Sequence, residues 1–178
     1  MQEIIKGHAQ LIDDLTPLCA NEGDIRHTSD HSGNGYHWFR LENPSKLKTA
    51  AKILKGNRAR LIMISAYENQ DSGLTMKELC YHFDVEGVIY NLTVNQNAEW
   101  PIVPSITPEF ANADWHEREM MELYQIKVTD HPNPKRLFLD ETLDAGQLST
   151  AIPLSVMMNG ASSKDLWERI LSAKEQQA

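Results

Sequence analysis

Apolar residues recur at helical spacing at the start of the chain, where Ile4, Ile5, His8, Leu11, Ile12 and Leu15 share one stripe. Residues 3 to about 16 are therefore expected to form an amphipathic helix that stops near Pro17. His8, on that stripe, reads as a core-edge histidine rather than a ligand. Residues 25 to 30 and 36 to 42 then flank Ser32-Gly33-Asn34-Gly35, whose residue types tolerate the positive φ of a tight turn, so a hairpin is expected. Asn43-Pro44 suits a helix start, with Asn capping free N–H groups and Pro preorganised for the first turn. That helix would bury Leu47, Ala50, Ala51 and Leu54 and stop at Gly56. Arg60 to Tyr67 is nearly all apolar and of strand length, as expected of a central strand covered on at least one side.

The clearest alternation follows. Leu79 to Val85 and Val88 to Val94, closed by Glu86-Gly87, pair Val85 with Val88, Phe83 with Tyr90, Tyr81 with Leu92 and Leu79 with Val94. One face is then wholly apolar, while Cys80, His82, Asp84, Asn91 and Thr93 occupy the other. The order α-β-β-α-β-β-β predicts an α+β fold, a two-layer domain with helices packed on a mostly antiparallel or mixed sheet. This domain is expected over residues 1–95. Residues 96–178 are expected to form an extended C-terminal docking arm with short helices.

Within the arm, Pro101, Pro104 and Pro108 interrupt regular structure, Trp100 and Ile102 look exposed, and Thr107-Pro108 can start a short helix. Asp114 with Glu117 three positions on has the form of a capping box, opening a helix whose apolar contacts fall to Trp115, Met120, Leu123 and Tyr124. Glu117, Arg118, Glu119 and Glu122 form its polar side, and Glu119 and Glu122 lack a cation between them. From Lys127 to Gly160 prolines are frequent and helical periods few, the pattern of an arm docked on something else. A last helix begins near Ser162-Ser163-Lys164-Asp165.

Composition narrows the function classes. The chain has 178 residues, 41% hydrophobic and 24% charged, as in a soluble globular domain. Its net charge of -8 and the lack of a basic stripe argue against nucleic-acid binding. The apolar run Leu61 to Ala66 falls far short of the roughly 20 residues of a bilayer-spanning helix. No secretory signal pattern opens the chain. A cytoplasmic location is expected, with a membrane reached only through partner subunits. Two separated cysteines, Cys19 and Cys80, cannot hold an iron–sulfur cluster or a structural zinc, and read as buried small hydrophobes. His27, His31 and His37 invite a metal reading, but local enrichment is not convergence, so no metal ligand is assigned there.

Pro104-Ser105-Ile106-Thr107, the Ala-x-Trp-x-Glu-Arg-Glu pattern at 113–119, Glu122-Leu123-Tyr124-x-Ile126 and His131-Pro132-x-Pro134-Lys135-Arg136-Leu137-x-Leu139 resemble the 30 kDa subunit family of respiratory complex I. That family also occurs in membrane-bound energy-converting [NiFe] hydrogenases, and the wording from Asn133 to Leu139 looks closer to that branch. The resemblance covers roughly residues 46 to 141. It implies a non-catalytic subunit of a membrane-associated electron-transfer complex, docking through its C-terminal part onto a large hydrogenase-like, 49 kDa-type subunit and a small iron–sulfur subunit. It implies no cofactor on this chain, with iron–sulfur clusters or a nickel–iron site on the partners. Trp115, Glu117, Arg118, Glu119, His131, Pro132 and Arg136 are the expected partner contacts. The sequence departs from the pattern with Glu122 for a usual Asp, Tyr124 for Phe, and Gln125 and Asp130 where glycines are usual. It also lacks the Gly-His-Pro-Leu-Arg segment after Asp140-Glu141.

Two other readings compete. A free-standing binding module or homodimer would use Trp100, Ile102, Ile152, Leu154, Val156, Met157 and Met158 as its apolar face. A metal-dependent hydrolase would use His116, Glu117, Glu119 or His131, but position 120 is Met where the two-histidine zinc helix needs its second ligand.

Overall fold

The computed structural model describes residues 2–71, 74–97 and 101–139, all within the first of the two units, 1–147 and 148–178, into which the chain divides. Helix α1 (Gln2–Leu15) buries Leu11 and Leu15 and packs on helix α2 (Lys46–Gly56), which buries the expected Leu47, Ala50, Ala51 and Leu54. Strands β1 (Ile25–Ser29) and β2 (Gly35–Arg40) form the expected antiparallel hairpin. Its turn is organised by Asp30, whose carboxylate accepts from Asn34 Nδ2 at 2.7 Å, Asn34 N at 2.9 Å and Ser32 N at 2.8 Å. These bonds, the Asn34 side chain foremost, hold the Asp30 carboxyl below its usual range.

The start and end of α2 are built differently from the expectation. Asn43 Oδ1 accepts from Ser45 N at 3.1 Å and so forms a lead-in turn, because the helix itself begins at Lys46. At the other end the helix stops at Gly56 as expected, but the left-handed residue is Arg58, with φ of 60°.

Strands β3 (Arg60–Asp71), β4 (Leu74–Val85) and β5 (Val88–Asn97) complete a five-stranded mixed sheet in the order β1-β2-β5-β4-β3. The β4–β5 register pairs Val85 with Val88, Phe83 with Tyr90, Tyr81 with Leu92 and Leu79 with Val94, as the alternation requires. Glu86 and Gly87 both take positive φ, 50° and 86°, which suits a two-residue hairpin turn. The fold is α+β, with helices packed on a mixed sheet.

Strand β3 is a correction. The apolar run Arg60–Tyr67 implied a central strand, yet among the described residues β3 sits at the sheet edge, because β5 pairs with β2 in parallel and leaves β4 as the sole neighbour of β3 there. A register shift between Leu61 and Met63 sends Ile62 and Met63 outward, while Leu61 and Ile64 stay buried.

After residue 95 the chain adds β6 (Ile102–Pro104), helix α3 (Ala113–Tyr124) and β7 (Lys127–Thr129), with β6 and β7 parallel in a second, two-stranded sheet. Residues 107–109 make only a turn, Glu109 N and Phe110 N both bonding to Ile106 O, where a short helix was expected. Val103, Ile106, Phe110, Ala113, Met120, Ile126 and Val128 belong to the same core cluster as the main sheet, and Phe110 packs on Phe83 with ring centroids 5.1 Å apart. The first stretch of the expected arm is therefore laid against the domain. Ile152–Met158 and the terminal helix expected from Ser162 lie outside the described residues.

Candidate functional site

Helix α3 carries the charged motif, and its inward face is not the one an apolar count selects. Ala113, Glu117 and Met120 fall at i, i+4 and i+7 and are buried, whereas Trp115 is 63% exposed. Glu117 is fully buried, at 0% exposure. It does not close a capping box, since α3 begins at Ala113 behind Asn112 with no side-chain cap. Instead Glu117 Oε1 accepts from Ile106 N at 2.6 Å, and Oε2 accepts from Ser105 Oγ at 2.6 Å and Thr107 Oγ1 at 2.9 Å. The segment leaving β6 thus wraps its donors around a buried carboxylate, which compensates the loss of water.

His131 closes the other side of this pocket, its side chain fully buried. Its Nδ1 accepts from Asn133 N at 3.0 Å, which leaves the ring proton on Nε2. Nε2 lies 3.4 Å from Glu117 Oε2 and 3.7 Å from Asp114 Oδ1, close to both carboxylates without a well-aligned bond to either. Across the core, burial pushes the Tyr81 phenol well above its ordinary value, with the Glu117 charge adding to the effect.

One turn on, Arg118 and Glu122 take hold of the segment after β7. Arg118 Nε donates to Lys135 O at 2.6 Å and its terminal nitrogen donates to Arg136 O at 2.5 Å, while Asp114 Oδ2 sits 3.5 Å from the guanidinium. Glu122, 3% exposed, accepts from the three successive backbone N–H groups of Leu137, Phe138 and Leu139. Burial pushes the Glu122 carboxyl up, but the N–H groups of Phe138, Leu139 and Leu137 and the Arg136 charge outweigh it and hold the group below its usual range. A cation and an anion four residues apart therefore clasp carbonyls 135–136 and amides 137–139 onto one helix. Glu122, one of the two carboxylates with no cation between them, is met by three backbone N–H groups of this chain. Lys77, itself buried, donates to Tyr124 O and caps the negative end of α3.

The two unusual residues of the motif explain themselves here. Gln125 (φ 54°) and Asp130 (φ 58°), which stand where the resemblance expects glycine, both keep the left-handed backbone a glycine adopts freely. Gln125 ends α3, at the point where Ile126 N returns to Met120 O. Asp130 sits 2.7 Å from Lys48 Nζ of α2.

The expected contact residues therefore separate into two groups. Glu117 and His131 are turned inward, a correction to their placement on a partner surface: they pack and orient this chain's own segments. Arg118 is largely spent on Lys135 O and Arg136 O. Trp115 and Pro132 are exposed, and Glu119 and Arg136 are half-buried. Sequence reading missed Phe138, 64% exposed on the clasped segment, and Ser105, whose hydroxyl serves Glu117. It also missed Glu122 as a backbone-binding group; the signal was its spacing of four from Arg118. His116, central to the hydrolase reading, does not converge with other ligands, and among the described residues no group of three or more His, Cys, Asp or Glu side chains is placed to hold a metal ion.

The second face of the sheet carries its own polar ladder. Ser65 Oγ meets His82 Nε2 at 3.0 Å, His82 Nδ1 meets Asn91 Oδ1 at 2.7 Å, and Asn91 Nδ2 donates to His37 O at 3.3 Å. The chain of bonds ties β3, β4, β5 and β2 across their shared face.

Among the described residues no helix is long and apolar enough to cross a membrane. Residues 42–162 match the model of a family described as the respiratory-chain NADH dehydrogenase, 30 Kd subunit. An NADH-quinone oxidoreductase subunit of Rhodopseudomonas palustris is 44% identical over 57 residues, 32% of this chain and 28% of that protein. The corresponding protein of Paramagnetospirillum magneticum is 27% identical over 115 residues, 54% of this chain and 58% of that one. An NAD(P)H-quinone oxidoreductase subunit of Prochlorococcus marinus is 29% identical over 108 residues, 55% and 60%. The chain thus spans 28% to 60% of the length of these curated relatives. The fold is shared with a trypsin-resistant fragment of Nqo5 (TM-score 0.53, 16% identity, 71% of this chain and 98% of that one). It is also shared with a chain of the membrane-bound sulfane sulfur reductase, an archaeal respiratory membrane complex (TM-score 0.56, 15% identity, 79% and 77%).

Proposed function

Because the chain belongs to the respiratory-chain NADH dehydrogenase 30 kDa subunit family, we propose that it is a non-catalytic peripheral subunit of a membrane-associated electron-transfer complex, of the NADH:quinone oxidoreductase or energy-converting hydrogenase type. Its partners are a large hydrogenase-like, 49 kDa-type subunit and a small iron–sulfur subunit, which carry the redox groups. This chain contributes no redox cofactor and stays on the cytoplasmic side of the membrane.

The observation that carries the reading is the clasp on α3. Buried carboxylates and an arginine are used to fix backbone 131–139 against the domain, which spends desolvation on holding one exit direction for the chain. A catalytic pocket would leave such groups reaching a substrate; here Glu117, Arg118 and Glu122 are satisfied by this chain's own N–H, O–H and C=O groups. What the clasp presents outward is Trp115 on α3 and Phe138 on the held segment, two large apolar side chains of the type that anchors protein interfaces. Arg136 and Glu119, both half-buried, supply polar groups, and Pro132 is exposed on the held segment.

Affinity isolation of the full chain from gently solubilised native membranes tests this. Recovery with a large hydrogenase-like subunit and an iron–sulfur subunit is the expected result. Recovery of the free chain alone, under conditions where the other subunits stay assembled, would overturn it.

A further inference from the structure

The three histidines of the β1–β2 hairpin are not used by the clasp. The sequence alone gives them no shared geometry, but the strand register does: His27 stands directly opposite His37. Their Nδ1 atoms are 2.5 Å apart, with ring centroids at 4.6 Å. His31, in the turn, is exposed and takes no part.

From this convergence we propose that His27 and His37 form a two-imidazole chelate for one divalent late transition-metal ion of the zinc, nickel or copper type, with solvent completing the coordination. Imidazole nitrogen suits these ions. Two nitrogens at about 2.0–2.1 Å from a tetrahedral or octahedral ion stand roughly 3 Å apart, so the pair needs to open by less than about 1 Å, within the reach of small side-chain rotations on an exposed strand. For one Nδ1 to donate across this contact the other must accept, which turns a lone pair into the gap between the rings.

The surroundings favour a fixed pair over two mobile surface side chains. His37 lies against the Tyr90 ring at 4.8 Å, His27 meets Phe39 edge-on at 6.3 Å, and Tyr90 OH is held by His8 Nδ1 at 2.8 Å. Those contacts limit the rotamers available to both rings, which lowers the ordering cost of chelation. The pair bridges β2 and β1, the edge strand opposite β3, which is exposed along most of its length. A bound ion there would staple that edge to β2, independently of the α3 clasp and of any partner subunit.

Titration calorimetry of the tag-free full chain with zinc chloride tests the proposal, alongside His27→Ala, His37→Ala and His31→Ala. One ion per wild-type chain is expected, with affinity reduced at least about tenfold in His27→Ala and His37→Ala and unchanged in His31→Ala. Histidine ring resonances of the wild-type protein give a second readout that needs no variant: those of His27 and His37 shift on zinc addition while that of His31 does not. Absence of stoichiometric binding, equal affinity in all four proteins, or equal loss in His31→Ala would overturn the chelate.

Discussion

Replacing Glu117 by Ala, beside Trp115→Ala on the same helix, reverses the usual order of cost for a charged and an aromatic residue. The Glu117 carboxylate takes three hydrogen bonds, from Ile106 N, Ser105 Oγ and Thr107 Oγ1, in a site with no solvent exposure. Each bond to a charged acceptor is worth about 1.5–3 kcal/mol, but the three are not additive, because relaxation and water entry recover part of the loss. Removal of one partner from a comparable buried set costs about 3–5 kcal/mol, chiefly from donors left without acceptors. Glu117→Ala is therefore expected to lose about 4 kcal/mol, a large part of the roughly 5–15 kcal/mol that holds a domain together. Glu117→Gln keeps shape and one oxygen, and should lose about 1–2 kcal/mol. Trp115→Ala, at an exposed position, should change stability by less than about 0.5 kcal/mol. Urea unfolding followed by circular dichroism reads all three; with a slope of about 2 kcal/mol per molar, the Glu117→Ala midpoint falls by about 2 M. A Glu117→Ala midpoint within about 0.5 M of wild type, or a larger loss in Trp115→Ala, would refute the assignment of Glu117 as the internal hub.

Further outcomes follow from the same contacts. Arg118→Lys removes the forked contact to Lys135 O and Arg136 O, and should cost about 1–2 kcal/mol in the same urea assay while leaving the helix formed. The lowered pKa of Glu122 sets a pH dependence: its contribution is complete above the carboxyl's ordinary value of 4.5 and is lost as pH falls through the lower folded value. Amide exchange at Leu137, Phe138 and Leu139 should accordingly accelerate on acidification below that range relative to the core strands, and Glu122→Gln should already show fast exchange there at neutral pH. Gln125→Gly removes a left-handed side-chain penalty of about 1 kcal/mol and should raise the melting temperature by a few degrees, less whatever the Gln125 side chain contributes.

Much of the domain was legible because its signals are local. The pairing of Val85 with Val88 through Leu79 with Val94 follows from a two-residue turn and strict alternation, and the stripe Leu47, Ala50, Ala51, Leu54 follows from helical period alone. The edge position of β3 was not legible, since an apolar run reports that a strand is covered and not how many neighbours it has. At the site, polarity misled. Glu117, Glu122 and His131 read as outward because charges are rarely buried, yet the two carboxylates are compensated by backbone or hydroxyl groups 10 to 17 positions away, and the His131 ring lies against Glu117, pairings that spacing cannot reveal. Trp115, an expected partner contact, was also counted among the helix's own apolar contacts because aromatics usually pack, yet it is 63% exposed. The left-handed geometry at Gln125 and Asp130 shows the reverse case, in which a comparison of motifs pointed at positions whose backbone, more than their side chain, carries the constraint.

Docking through the clasped face is tested most directly by recovery of partner subunits with the full chain carrying both Trp115→Ala and Phe138→Ala, isolated from gently solubilised native membranes beside the wild type. The double variant should unfold in urea at the wild-type midpoint yet bring down at least about tenfold less of the large and iron–sulfur subunits, as for loss of central anchors. Undiminished recovery by a double variant of wild-type stability would contradict this, and would move the interface away from α3 and its clasped segment.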